Sequence, residues 1–227
     1  ITLGDFEEVY SAATHLLPNN NILNLISKAN QEPYKQVVLE LFKTDQKLPF
    51  NYDEPSLNYL YMNGVIDQER VNIDEYYAKF SSPFVQKRLF NYFANSIFPR
   101  LGRLYDPFSN LDATINDHDL HVRNLLKYYE AYLHQNRERL LKDAPRREVD
   151  LRIFEAIYHF NLYQYLVRFL ESYDARIYPE FPTGNGKIDL LIKHAGKLYG
   201  LELKSFANPR QYRKALQQAA LYARQLN

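Results

Sequence analysis

The sequence predicts an α+β chain. Apolar residues recur at helical spacing through residues 5–42, 83–98 and 118–173. Two short apolar runs, 188–192 and 198–203, follow with only Ala195-Gly196 as an evident break between them. Short apolar runs separated by turn residues read as a buried β-hairpin. A shorter strand pair, Val65-Ile66 and 75–80, flanks a polar stretch in the first half.

Size and composition limit the functional classes. The 227 residues are 46% hydrophobic, enough for one large domain or two small ones with a packed core. The net charge of +1 announces no global field for nucleic acid, so any basic patch is local. The absence of cysteine excludes disulfides and thiolate metal sites and fits a cytoplasmic protein. No apolar run approaches membrane-spanning length and no signal peptide opens the chain. The sole methionine is Met62, so the chain reads as a piece of a longer protein.

The first half divides into two patterns. Residues 1–46 read as three short helices. Asp5 caps the first, Asn20 or Asn21 opens the second with Ile22, Leu25 and Ile26 on its apolar face, and Pro33 begins the third with Val37, Val38, Leu41 and Phe42. Then come a helix over 55–62 with Gly64 as its C-cap, a strand at Val65-Ile66, a polar excursion over 67–74, a returning strand over 75–80 and a helix from Pro83. Helix, strand, wing and strand is the order of a winged helix. Such a module reads DNA through Arg or Lys, or serves as a packing module, which suits a segment more aromatic than basic.

Residues 99–117, rich in Pro, Gly, Asp and Asn, read as a linker, and the domain boundary is placed there, giving 1–105 and 106–227. A long helix is expected over 118–142, with His118 and His121 in a solvated first turn. A second is expected over 148–173, with Glu155 among Ile153, Phe154, Ala156 and Ile157. A carboxylate so embedded needs a partner, unless it reaches the surface. The Arg146-Arg147 pair is a phosphate contact or a solvated helix start. After the hairpin, Asn208 and Pro209 open a final helix. Tyr212, Ala215, Leu216, Ala219, Ala223 and Leu226 form its apolar stripe. Lys214, Gln218 and Tyr222 lie on a second face, and Arg210 and Arg213 crowd its first turn, where phosphate is attracted.

The hairpin carries the chemistry. If Ala195-Gly196 is a two-residue loop, His194 faces Lys197, and counting back places Asp189 opposite Glu202. Lys204 joins their face. Two facing carboxylates repel, and a divalent cation between them removes the repulsion. Oxygen ligands beside a lysine suit Mg²⁺ or Mn²⁺. An ion-pair ladder, with Lys187 and Lys204 flanking the acids, accounts for the same residues. Gly184-Asn185-Gly186-Lys187 is not a P-loop: Phe181 stands where its first glycine belongs, and Ile188 replaces the hydroxyl residue.

Gly184-Asn185-Gly186-Lys187-Ile188-Asp189, followed by a short hairpin and Glu202-Leu203-Lys204, resembles the core motif of the PD-(D/E)XK nuclease superfamily. Glu155 on a preceding helix and the Gln218-x-x-x-Tyr222 spacing on a following one resemble further elements of that superfamily and its helicase-associated branch. The resemblance covers roughly the second half of the chain. It implies a restriction-endonuclease-like α/β domain that hydrolyses DNA, or a catalytically inactive DNA-binding or protein-docking module of the same fold. It further implies Mg²⁺ or Mn²⁺ on Asp189, Glu202 and the Leu203 carbonyl, with Lys204 at the nucleophile. Glu155 and Gln218 would then support the site, and Tyr222 would pack or contact substrate. Lys187, Arg210, Arg213 and Lys214 are the expected phosphate contacts. The segments 60–67 and 76–89 also resemble the region after the ATPase core in archaeal-type AAA ATPases ending in such a domain. This resemblance implies an ATPase core on a preceding part of the same protein.

Overall fold

The computed structural model describes residues 20–42, 47–183, 186–203 and Arg213, with the side chains of 181–187 outside that description. The expected first helix and final helix therefore fall outside it, apart from Arg213. The chain is α+β, with helices and small antiparallel sheets in separate stretches. Two compact units are present. One runs to Phe93 and includes Arg147–Ala156; the other joins Ala94–Arg146 to the chain from Ile157 onward.

The first unit contains α1 (Asn20–Ala29), α2 (Tyr34–Leu41), α3 (Pro55–Met62) and a hairpin of β1 (Ile66–Asn72) and β2 (Glu75–Phe80). Helix α4 (Pro83–Ile97) follows. Ile22, Ile26 and Ala29 of α1 and Val38 and Leu39 of α2 are buried, as amphipathic spacing requires. Glu54 caps α3 by accepting hydrogen bonds from the Ser56 and Leu57 N–H groups, with Pro55 at the first helical position. Phe42 packs against Phe80 and Phe90, ring centroids 4.6 and 5.7 Å away. The expected polar excursion over 67–74 is instead mostly strand. β1 continues to Asn72 and turns at 73–74, with an irregularity between Arg70 and Asn72. Its outer residues are exposed and held by the ladder rather than by burial, so hydropathy did not reveal them.

Helix α5 (Val122–Leu141) lies in the second unit, as does α6 (Glu155–Phe169) from Ile157 onward, and both helices are shorter than their sequence patterns. Helix α5 begins at Val122 rather than 118 because Asn116 Oδ1 accepts the His118 and Asp119 N–H groups, each at 2.9 Å. A side chain that captures backbone donors competes with the helix. Helix α6 begins at Glu155 rather than 148. Arg147 and Arg152 close a turn (N···O 2.8 Å), Leu151 adopts φ 57°, and Val149 and Leu151 lie exposed. The segment 99–117 contains neither helix nor strand but is tied to α5. The Leu101 carbonyl accepts from the Tyr132 hydroxyl at 3.1 Å and from Arg139 Nη2 at 2.5 Å. Rings of Tyr105, Tyr129, Tyr132, Tyr165 and Phe169 join this segment to α5 and α6 at centroid spacings of 4.9–5.6 Å.

The expected hairpin is part of a three-stranded antiparallel sheet in the order β3 (Ala175–Thr183), β4 (Gly186–His194), β5 (Lys197–Leu201). β3 was not anticipated. Pro179 and Pro182 punctuate it, which an edge strand tolerates. In central β4, Ile188, Asp189, Leu190, Leu191 and Ile192 are all buried, so both of its faces are covered. β5, expected to be buried, is largely exposed. His194 pairs with Lys197 across Ala195 and Gly196, whose φ values of 49° and 76° make a two-residue turn of type I′. The pleat puts His194 and Tyr199 on one face. There His194 Nε2–H donates to the Asn116 carbonyl at 2.7 Å, and the Tyr199 hydroxyl accepts the Leu120 N–H at 3.3 Å. The 114–120 loop therefore covers that face.

Two measurements check this account. Ala195 carries a Cβ in the left-handed region, where Asn is better tolerated. Ala195→Asn is expected to raise stability by about 0.5–1 kcal/mol in urea melts; a loss would contradict the turn geometry. Burial raises the phenol pKa values of Tyr129 and Tyr165 well above the ordinary range and pushes Tyr163 up to about 12. Unfolded phenols ionise near pH 10 while these stay protonated, so stability is expected to fall above pH 10. The slope is roughly 1.4 kcal/mol per pH unit for each such phenol. Absorbance titration should show these phenols ionising only as the protein unfolds.

Candidate metal centre

Asp189 lies in the middle of the central strand and is 1% exposed. The β3–β4 ladder keeps one register on both sides of it, with Pro179 opposite Leu190 and Phe181 opposite Ile188. Glu180 is therefore the residue facing Asp189. On the other side, the β4–β5 ladder runs from His194–Lys197 to Leu190–Leu201 and ends there, one position short of Asp189 and Glu202. Glu180 and Asp189 thus form a row on strands about 4.8 Å apart, with Glu202 next in sequence after the end of β5.

Each of these carboxylates is placed by a different local cause. Asp189 Oδ2 accepts the Leu203 N–H at 2.7 Å, so the chain beyond Leu201 turns its donor to this side chain instead of extending the ladder. Glu202 is half-buried, with both carboxylate oxygens shielded from solvent. Glu180 is 3% exposed and adopts φ 51°, in the left-handed region that non-glycine residues avoid. Beside the row, α6 contributes His159, 1% exposed with both ring nitrogens buried.

One ligand atom from each of His159, Glu180 and Asp189 lies within 4.8 Å of the other two. This is the one group of three such side chains found among the described residues, and Glu202 is not part of it. Two ionised carboxylates at that range repel by roughly 3 kcal/mol at an effective dielectric near 20. An imidazolium or a divalent cation offsets this. Metal–ligand bonds of about 2.0–2.2 Å place neighbouring ligand atoms roughly 3 Å apart around an ion. The group fits a cation after a short inward movement. Its nitrogen donor moves preference from Mg²⁺ toward first-row transition ions.

Of the residues expected from sequence, the structure joins Asp189 to the Leu203 N–H and leaves Glu202 outside the His159–Glu180–Asp189 group. Glu155 opens α6 rather than lying within it, so its carboxylate meets the positive end of the helix dipole. It stands one turn before His159, on the same helix face. Lys187 pairs with Pro182 in the ladder, while its side chain lies outside the described residues. So do Lys204, Arg210, Lys214, Gln218 and Tyr222. Arg213 is helical and exposed. His118 and His121 are exposed residues before α5 and join no metal group. Arg147 is engaged by Glu40 at 3.1 Å and Asp150 at 3.7 Å.

Sequence reasoning missed His159 and Glu180. His159 is a lone histidine in a buried apolar helix and carries no spacing signal. Glu180 had one: pairing Thr183 with Gly186 and counting back sets it opposite Asp189.

The β1–β2 hairpin does not carry the charge of a phosphate reader. Asp67, Glu69, Asp74 and Glu75 outnumber Arg70 and Lys79 over 66–80. The Arg70 guanidinium donates to the Asn72 and Ile73 carbonyls at 3.2 and 3.1 Å. No described helix is long and apolar enough to cross a membrane. Comparison of the chain with protein-family models, with curated proteins and with solved structures finds no match.

Proposed function

We propose that the chain is a metal-dependent nuclease that hydrolyses DNA phosphodiester bonds. The observation that carries this reading is the buried Asp189, bonded to the Leu203 N–H next to Glu202 and grouped with Glu180 and His159. Asp189, Glu202 and the Leu203 carbonyl would hold Mg²⁺ or Mn²⁺. That ion supplies a water of lowered pKa and a counter-charge for the phosphate.

The chain's own residues do the rest. Asp189, fixed by the Leu203 N–H, orients the end of β5 and so the backbone leading into Lys204. Lys204 neutralises charge on the phosphate or positions the attacking water. Glu155 and Gln218 support the site, and Tyr222 packs or contacts substrate. Lys187, Arg210, Arg213 and Lys214 contact the phosphate backbone and set register without reading bases. The motif order described above supports DNA as substrate, and the absence of cysteine fits a cytoplasmic protein. The resemblance of residues 60–67 and 76–89 supports a place for this chain after an ATPase core in a longer protein.

One observation favours a second reading, in which the fold is retained without catalysis. Asp189 already receives the Leu203 N–H, and His159 is close enough to balance one charge. The two readings separate at Asp189→Asn, which nearly keeps the shape and can still accept that hydrogen bond. As a nuclease, the wild type nicks supercoiled plasmid with Mg²⁺ or Mn²⁺, and the variant is slower by at least about 100-fold. Ion at about 100 times its Kd stabilises the wild type by about 2.7 kcal/mol, and the variant melts alike with and without ion. If neither ion supports nicking or shifts the wild-type melt, even with DNA present, the second reading holds.

A further inference from the structure

We propose that the outer edge of β1 takes an extended basic polypeptide segment as an added strand. The sheet of the first unit has two strands, and its two edges differ. The edge of β2 is covered. There the Phe50 N–H donates to the Tyr76 carbonyl and the Ala78 N–H to the Leu48 carbonyl, both at 2.8 Å. Pro49 also bridges to Tyr77. Among the described residues, no strand or bridge pairs with the other edge, along β1.

The covered edge fixes which groups of β1 face outward. Tyr76 and Ala78 direct their backbone groups away from β1, and they stand opposite Arg70 and Gln68. Antiparallel pairs alternate between those that exchange hydrogen bonds and those that do not. Gln68 and Arg70 are of the second kind, so their N–H and C=O groups point away from β2. The Gln68 N–H donates to Asp67 Oδ1 at 2.8 Å, a local substitute for a strand partner. A row of outward backbone groups is a template for another chain. The register shift between Arg70 and Asn72 ends this template at Arg70.

Charge selects the occupant. Asp67 and Glu69 share one face of the hairpin, opposite to the face of the buried Ile66 and Ala78. Asp74 and Glu75 follow at the tip. Lys79 opposes Asp67 from β2, and the Arg70 guanidinium is held by the Asn72 and Ile73 carbonyls. A second copy of this edge is repelled. Antiparallel pairing centred on Gln68 sets Asp67 against Glu69, and centring on Glu69 or Arg70 sets that charge against itself. Phosphate would meet the same two carboxylates. A strand with Lys or Arg at every second position sets a cation opposite each acid instead. Apolar residues at its end would cover Val71 and Ile73, both exposed.

The probe is a capped peptide that alternates Lys with Thr and ends in Val-Ile, titrated into the full chain by fluorescence anisotropy. Saturable binding that weakens with salt is expected, and none for the same peptide with Glu in place of Lys. Asp67→Lys combined with Glu69→Lys should weaken binding by about tenfold or more. Gln68→Pro removes an outward donor and leaves the β2 ladder intact, so it should weaken binding by about as much, whereas Gln68→Ala should not. In residue-resolved hydrogen exchange the peptide should slow the Gln68 and Arg70 N–H groups. The Glu69 N–H, which faces β2, should not change. No binding, equal binding of the Glu peptide, or binding that slows neither N–H overturns the proposal. So does duplex DNA that displaces the peptide from this edge. If Gln68→Pro does not fold, judged by its melt, the wild-type exchange pattern decides.

Discussion

A carboxylate buried in the central strand of a small sheet is the constraint on which the second unit depends. Asp189 sits where both faces of β4 are covered, at a place that apolar residues otherwise fill. Left without compensation, an ionised group there costs several kcal/mol. The surrounding chain supplies the compensation piece by piece. The Leu203 N–H turns toward it, which ends β5 at Leu201. Helix α6 delivers a buried imidazole from one side. The same arrangement sets the Glu180 carboxylate beside it, which raises the electrostatic cost again. A site that concentrates like charge in a dry interior suits a cation better than it suits stability alone.

Regular elements, not loops, position three of these side chains. Glu180 and Asp189 are fixed by strand register and His159 by a helix packed through its aromatic neighbours. Strand and helix positions hold side chains to tighter tolerances than loops do, and metal geometry requires that. On the other face, the 114–120 loop anchors the hairpin through His194 and Tyr199, and Lys197 bonds Asp119 at its tip. That bond holds the Asp119 carboxyl below its usual range and lifts the Lys197 amine. These contacts support the sheet without adding chemistry to the row.

The first unit has the element order of a winged helix, but its charge fits a different use. Its hairpin is net acidic, α3 contains no basic residue, and Arg70 is occupied by backbone carbonyls. Phosphate contacts depend on available Lys and Arg. A packing role suits this module better than groove reading. The basic residues expected to contact phosphate lie elsewhere in the sequence, at Lys187 and at 210–214.

The α+β class, the residues of α3 and β2, and the pairing of His194 with Lys197 were legible from the residues alone. These depend on local information: turn chemistry, capping and a side-chain period of two. Counting on from that pairing sets Asp189 opposite Glu202, whereas the ladder stops at Leu190 and Leu201. The sequence overran the starts of α5 and α6, because Asn116 and the Arg147–Arg152 turn capture backbone groups that hydrophobic periodicity does not register. It missed most of β1, which is stabilised by hydrogen bonds rather than burial, and all of β3, whose prolines read as breaks. Only the tertiary structure brought His159 to Asp189. The two lie thirty positions apart on a helix and a strand, and no periodicity within either element encodes the distance between them. That distance is set by how α6 packs on the sheet, a sum of many weak contacts among side chains far apart in the chain.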